Sequence, residues 1–106
     1  MFDRLVSNAI DEALNVLGQS SKQILYTWLE RDKGIVREEI PQRLEEFTSF
    51  LEKNFGYGAA ILERRVLESL YSKMGLNFPR DQRLDFISCV KEAEKEFYLR
   101  GKINRR

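Results

Sequence analysis

A glycine-bounded segment in the middle of the chain, FGYGAAILERRVLESLYSKMG from Phe55 to Gly75, constrains the fold more than any other feature. Two closely spaced glycines precede a long helical pattern, and a third glycine terminates it. The apolar residues of this pattern cover two adjacent helix faces: Ala59, Ala60, Ile61, Leu62, Val66, Leu67, Leu70, Tyr71 and Met74. A helix that is apolar over so much of its surface needs neighbours on both sides. The segment therefore predicts the central helix of a small bundle, with Leu62, Val66 and Leu70 as structural core residues.

Three further helices are predicted before this segment from apolar residues at steps of three and four. The first ends at Gly18, and its inward residues are Phe2, Leu5, Val6, Ala9, Ile10, Ala13, Leu14 and Leu17. The second begins at a cap formed by Ser20 or Ser21 and ends before Gly34. It carries the apolar residues Ile24, Leu25, Trp28 and Leu29.

A third helix is predicted to begin with Pro41 in its first turn, where the missing N–H costs nothing. Gly56 closes it, and its inward residues are Leu44, Phe47, Phe50, Leu51 and Phe55. In the preceding connection, Ile35, Val36 and Ile40 could anchor a short turn against the core. The segment GIVREEI is the sole candidate for a strand, and it is short.

Residues 1–76 are thus predicted to form a four-helix core domain, to which residues 77–106 add a linker and a C-terminal fifth helix. Asp81 is a candidate cap for this helix and Gly101 its expected end. Its inward residues are Leu84, Phe86, Ile87, Val90, Ala93 and Phe97. The fifth helix could cover the core or serve as a dimerisation arm. With 106 residues, the chain fits a single all-α domain, a small bundle of about five helices.

The chain contains no histidine and a single cysteine, Cys89. This excludes Ser-His-Asp and Cys-His catalytic arrangements and a structural zinc site. The acidic clusters have basic neighbours and are interpreted as solvated helix faces: Glu38/Glu39, Glu45/Glu46 and Glu92/Glu94/Glu96. We therefore expect a non-enzymatic protein without cofactor or metal. The lone cysteine and the lack of a long apolar run favour a cytoplasmic protein that does not contact membranes.

The sequence Gly56-Tyr57-Gly58 superficially resembles a phosphate-binding loop because it precedes a helix. The fuller GxGxxG pattern is missing, and no strand is predicted before it. We interpret Gly56 as a helix C-cap and Gly58 as a residue that lets the next helix start close by. Gly58 would resist substitution if it needs a positive φ or a close helix contact.

The alternative function is DNA binding by a helix-turn-helix, since residues 24–52 have the order helix, glycine-containing turn, helix. The would-be recognition helix is slightly acidic, which disfavours insertion between phosphates. The C-terminal residues Arg100, Lys102, Arg105 and Arg106 could still contact nucleic acid weakly.

The aromatic residues at helical spacing are expected in the core or at its edge: Tyr26, Trp28, Tyr57, Tyr71 and Tyr98. Several of them exposed on one face would instead indicate a binding site for a protein partner.

Residues 8–76 also contain a series of residues that matches the pattern of a known family: Leu17-Gly18-x-Ser20, Lys22, Tyr26, Leu29-Glu30, Gly34-Ile35, Glu39-Ile40-Pro41, Phe47, Leu51, Phe55-Gly56-x-Gly58-Ala59, Leu62-Glu63, Leu70-Tyr71 and Gly75. In these positions the chain resembles a family of small archaeal helical domains, the signal-output domains of the nitrosopumilus type. The resemblance implies no catalytic residues and a module that reads or relays a signal, often fused to other domains. A free-standing copy would need a partner from another chain, or it would form a homodimer.

Overall fold

The computed structural model describes residues 1–78 and 85–103, including side chains up to residue 101. All regular structure in these residues is helical, which confirms the all-α fold and leaves GIVREEI without a strand. The five α-helices are α1 (Phe2–Leu14), α2 (Gln19–Lys33), α3 (Leu44–Phe55), α4 (Gly58–Lys73) and α5 (Phe86–Ile103). Short 3-10 helices occupy Asn15–Leu17 and Arg37–Gln42.

Helix α4 is the centre of the bundle and packs against α1, α3 and α5. Leu62, Val66 and Leu70 are buried, whereas Ile61 on the same helix is 62% exposed. The two apolar faces of α4 are therefore covered as the pattern predicted, except at Ala60 and Ile61 in its first turn. The other large, fully buried side chains come from α1, α2, α3, the Arg37–Gln42 helix and the turn before it: Val6, Ile10, Leu14, Leu29, Ile35, Ile40, Phe47, Phe50 and Leu51.

Helix α5 covers this same core. Phe86, Val90 and Ala93 are buried in it, and the Tyr71 hydroxyl of α4 donates a hydrogen bond of 2.9 Å to the Cys89 carbonyl. Gly101 does not end α5, because the helix continues to Ile103. The candidate cap Asp81 and the predicted inward residue Leu84 lie outside the described residues.

Three predicted helix starts and ends are corrected. Helix α1 ends at Leu14, and a 3-10 turn carries the chain on to Gly18. Gly18 has a φ of 89° and itself forms the N-cap of α2, so neither Ser20 nor Ser21 caps that helix. Pro41 lies in the 3-10 helix rather than in α3, because Arg43 has a non-helical backbone that separates the two.

The two glycines of the FGYG segment have different roles. Gly56 ends α3 with a φ of 55°, a conformation that L side chains rarely adopt. Gly58 has no positive φ, and a Cβ atom built on it would lie 3.6 Å from the Phe55 Cβ, an ordinary contact. Gly58 therefore meets neither of the two conditions under which we expected it to resist substitution.

Candidate protein-binding surface

Helix α2 exposes a stripe of large apolar side chains beside its buried face. Leu25 and Leu29 face the core, but Ile24 and Trp28 are 53% and 52% exposed. Trp28, which we expected in the core or at its edge, therefore lies at the edge, with Ile24 exposed beside it. The reason is that α2 lies at the edge of the bundle, where the Asn15–Leu17 turn and α3 together cover only one stripe of it.

A groove of about 330 Å³ lies beside the Trp28 ring, where α2 meets α3. Phe50, itself buried, contributes apolar surface to its lining. Arg31, Asp32 and Lys53 supply charge around it, and the Lys53 ammonium lies 4.0 Å from the Asp32 carboxylate. We refer to Ile24, Trp28, Arg31, Asp32, Phe50, Lys53 and Asn54 together as the Trp28 surface.

A polar cluster holds the first half of α2 against α1. Lys22 is only 5% exposed, and its ammonium lies 3.2 Å from the Asp11 carboxylate and donates to the Asn15 side-chain carbonyl at 2.6 Å. The Tyr26 hydroxyl donates to the same carboxylate at 3.2 Å, and the Arg37 guanidinium lies 3.4 Å from it. Burial and the negative charge of Asp11 raise the pKa of Tyr26, so the phenol keeps the proton that it donates.

Arg43 holds the other end of α2. Its guanidinium donates to the carbonyls of Lys33 and Gly34 at 3.2 Å each, and it forms a two-pronged ion pair with Glu46 at 2.7 and 2.8 Å. These bonds occupy carbonyl groups that the end of a helix otherwise leaves without partners. Because α2 is anchored at both ends, Trp28 is presented from a rigid scaffold, which lowers the entropic cost of binding.

Two described groups with a raised pKa, Cys89 and Glu63, lie outside the Trp28 surface. Cys89 is buried and the pKa of its thiol is raised by burial, which disfavours the nucleophilic thiolate. Burial, with the charges of Glu52 and Asp85, raises the pKa of Glu63 to about 7, and its buried Oε2 atom has no hydrogen-bond partner among the described residues. Glu63 does not line the groove of the Trp28 surface. In residues 1–78 and 85–103, no three His, Cys, Asp or Glu residues are placed to hold a metal ion.

The basic residues predicted for nucleic-acid contact are only partly described. Arg100 is exposed, and its guanidinium donates a hydrogen bond of 2.6 Å to the Met74 carbonyl at the end of α4. The side chain of Lys102 and the whole of Arg105 and Arg106 lie outside the described residues. Arg100 thus has a local role in joining α5 to α4.

The aromatic residues divide between core and surface. Tyr71 is buried and Tyr26 is half-buried, as expected, but Tyr57 is 99% exposed and Tyr98 is 56% exposed. Sequence reasoning missed the exposure of Trp28, although one signal was available. The stripe that contains Ile24 and Trp28 continues into Arg31 one turn later, whereas a fully covered stripe would stay apolar.

In the described part of the chain, no helix combines the length and the apolar character needed to cross a membrane.

Comparison of the chain with protein-family models, with curated proteins and with solved structures finds no match in any of the three.

Proposed function

We propose that the protein is a non-enzymatic interaction module that binds a protein partner through the Trp28 surface. The observation that carries this proposal is the half-exposed Trp28 beside an apolar groove on a helix anchored at both ends. Tryptophan is enriched among the residues that dominate binding energy at protein interfaces. Exposed apolar surface rimmed by charge is typical of such interfaces.

The charges of the Trp28 surface define the kind of partner segment that fits. Arg31 and Lys53 against Asp32 leave a net charge of +1 around the Trp28 ring. A segment that presents an apolar side chain beside a carboxylate would fill the groove and pair with these cations. The partner is therefore an apolar segment with acidic flanks.

A regulatory or signal-output role in the cytoplasm extends this proposal. Its support is the resemblance of residues 8–76 to the signal-output domains, together with the single cysteine, which fits a reducing compartment. The absence of histidine from the sequence favours binding over catalysis, since histidine is the commonest general base.

DNA binding by a helix-turn-helix is the alternative, with α3 as the helix that would enter the major groove. The exposed side chains of α3 include Glu45, Glu46 and Glu52 against Lys53, a net charge of −2. Such a face is repelled by the phosphates that flank the groove. This charge is the reason for preferring a protein partner.

Site-specific crosslinking tests the proposal. A photo-crosslinking amino acid in place of Ile24 in the full chain, in cells that normally produce it, should give a discrete adduct with another protein. The adduct should disappear when Trp28→Ala is added and should persist with Tyr98→Ala, a matched loss of a half-exposed aromatic side chain on α5. Thermal melts would establish that both variants fold.

Two results would count against the Trp28 surface. One is an adduct of equal yield in the Trp28→Ala and Tyr98→Ala backgrounds. The other is the absence of any protein adduct, together with retardation of mixed genomic DNA by the full chain at low salt, which would favour the DNA-binding alternative.

A further inference from the structure

A second groove, of about 310 Å³, lies where the start of α1 meets the junction of the 3-10 helix with α3 and the first half of α5. It shares no lining residue with the Trp28 surface. Apolar side chains from all three regions line it: Phe2, Val6, Leu44, Ile87 and Val90. We call it the acidic groove because of the charges at its rim.

The rim carries four carboxylates against two cations, a net charge of −2. The carboxylates are Asp3, Glu45, Glu46 and Glu94, and the cations are Arg43 and Lys91. Arg43 is already held by Glu46, and Asp3 accepts a hydrogen bond from the neutral Gln42 side chain. Asp3, Glu45 and Glu94 form no ion pair with another described residue, and Lys91 is the cation of the rim outside the Arg43–Glu46 pair.

The walls of the acidic groove are held in place by contacts away from it. The Phe2 ring packs against Phe97 with 5.6 Å between ring centroids. The hydrogen bond from Tyr71 to the Cys89 carbonyl fixes α5 against α4. A groove whose walls are fixed before binding loses little entropy when it is filled.

We propose that the acidic groove binds a peptide segment of a partner protein that carries lysine or arginine beside an apolar residue. The volume suits one or two large side chains, and the apolar lining removes them from water. The carboxylates at the rim attract the adjacent cations, which gives the groove its preference for a basic segment. The charge preference is opposite to that of the Trp28 surface, so the module would hold two different segments at once.

Fluorescence anisotropy with the full chain tests this assignment. The probe is a labelled nine-residue peptide of alternating lysine and leucine, and the matched probe has glutamate in place of every lysine. At low ionic strength the lysine probe should bind at least tenfold more tightly than the glutamate probe. The double substitution Glu45→Gln with Glu94→Gln should weaken binding of the lysine probe at least fivefold.

A charge-matched control separates the groove from the overall charge of the protein. Glu30→Gln with Glu38→Gln removes the same two charges from exposed positions that do not line the groove, and it should leave binding unchanged. Ile87→Ala should weaken binding without changing the charge. Trp28→Ala should have no effect, which makes this test independent of the proposed function.

Three results would overturn the proposal. The first is equal affinity for the lysine and glutamate probes. The second is equal weakening by the two double variants, which would indicate attraction to overall charge alone. The third is a dimer, detected by light scattering, whose formation excludes the lysine probe, since a second copy would then be the occupant.

Discussion

The ammonium group of Lys22 lies 3.2 Å from the Asp11 carboxylate, in a pair that joins α2 to α1 and leaves Lys22 almost fully buried. Taking a charge out of water is costly, so the pair needs its additional hydrogen bonds. Lys22 donates one to the Asn15 side-chain carbonyl, and the Tyr26 hydroxyl donates one to Asp11. This cluster sets where α2 sits, and therefore where Trp28 is exposed.

The two members of this pair should respond differently to substitution. Asp11→Ala leaves the buried Lys22 charge without its counter-ion and should lower the free energy of unfolding by about 2–4 kcal/mol. Lys22→Met keeps the packing of the side-chain stem, and Asp11 retains Tyr26 and Arg37 as partners, so its cost should stay within about 1 kcal/mol. Urea denaturation of both variants measures the difference. If Lys22→Met were the more destabilising change, the account of this cluster would be wrong.

Glu63 should make the stability of the protein fall as the pH rises from about 4.5 to about 7. Its pKa in the folded state is about 7, above the ordinary 4.5, because burial and the charges of Glu52 and Asp85 oppose ionisation. Between these values the folded state binds more protons than the unfolded state, so the free energy of unfolding declines with pH. Glu63→Gln removes this loss and should stabilise the protein above pH 7 by about 1 kcal/mol. The expected gain is small because solvent screens the charge of a half-buried side chain.

Chemical denaturation at pH 5 and pH 8 tests the role of Glu63. The difference in unfolding free energy between the two pH values should shrink in Glu63→Gln. The control is Glu68→Gln, an exposed glutamate on the same helix, which should leave the pH dependence as it is. An unchanged pH dependence in Glu63→Gln would show that this carboxylate titrates normally.

Shortening a side chain of the central helix α4 should destabilise the protein only on the buried face of the helix. Leu62→Ala or Leu70→Ala should each lower the free energy of unfolding by about 2–5 kcal/mol, because each leaves a cavity in the core. Ile61→Ala removes a similar side chain from an exposed position and should change stability by about 0.5 kcal/mol or less. Melting curves of the three variants check this, and a large effect of Ile61→Ala would mean that this face is covered in solution.

Alanine substitutions at the two glycines of the FGYG segment should have opposite effects on stability. Gly56→Ala forces a side chain into a backbone with a φ of 55° and a ψ of −123° and should cost about 1–3 kcal/mol. Gly58→Ala places alanine in the first turn of α4 at a φ that it accepts, and it should stabilise the protein by about 0.4–1 kcal/mol. Thermal unfolding of the two variants measures both effects. Equal destabilisation by Gly56→Ala and Gly58→Ala would contradict the different roles assigned to these glycines.

Much of the architecture was predictable because it depends on local periodicity. The steps of three and four in α4 placed Leu62, Val66 and Leu70 on a covered face, and Gly34 ends α2 in the left-handed conformation that a helix C-cap favours. The local patterns were less reliable where neighbouring residues suited the same role. Two serines close to Gly18 looked like caps, yet the glycine itself fills that position.

The candidate binding sites were not predictable in the same way. Ile24 and Trp28 are apolar and helically spaced, so the pattern by itself did not distinguish them from the buried Leu25 and Leu29. The Glu45 and Glu94 carboxylates are 49 positions apart in the sequence, and only the packing of α5 beside the start of α3 brings them to one groove.

The amino-acid sequence by itself determined that the chain is helical and which stripes of each helix are apolar, because both depend on contacts between near neighbours along the chain. The tertiary structure alone decided which of those stripes is covered. Helix α4 is surrounded, so the apolar residues beyond its first turn are largely buried, whereas α2 lies at the edge and keeps Ile24 and Trp28 half exposed. The physical reason is that burial depends on how many helices surround a given helix, a property of the whole assembly.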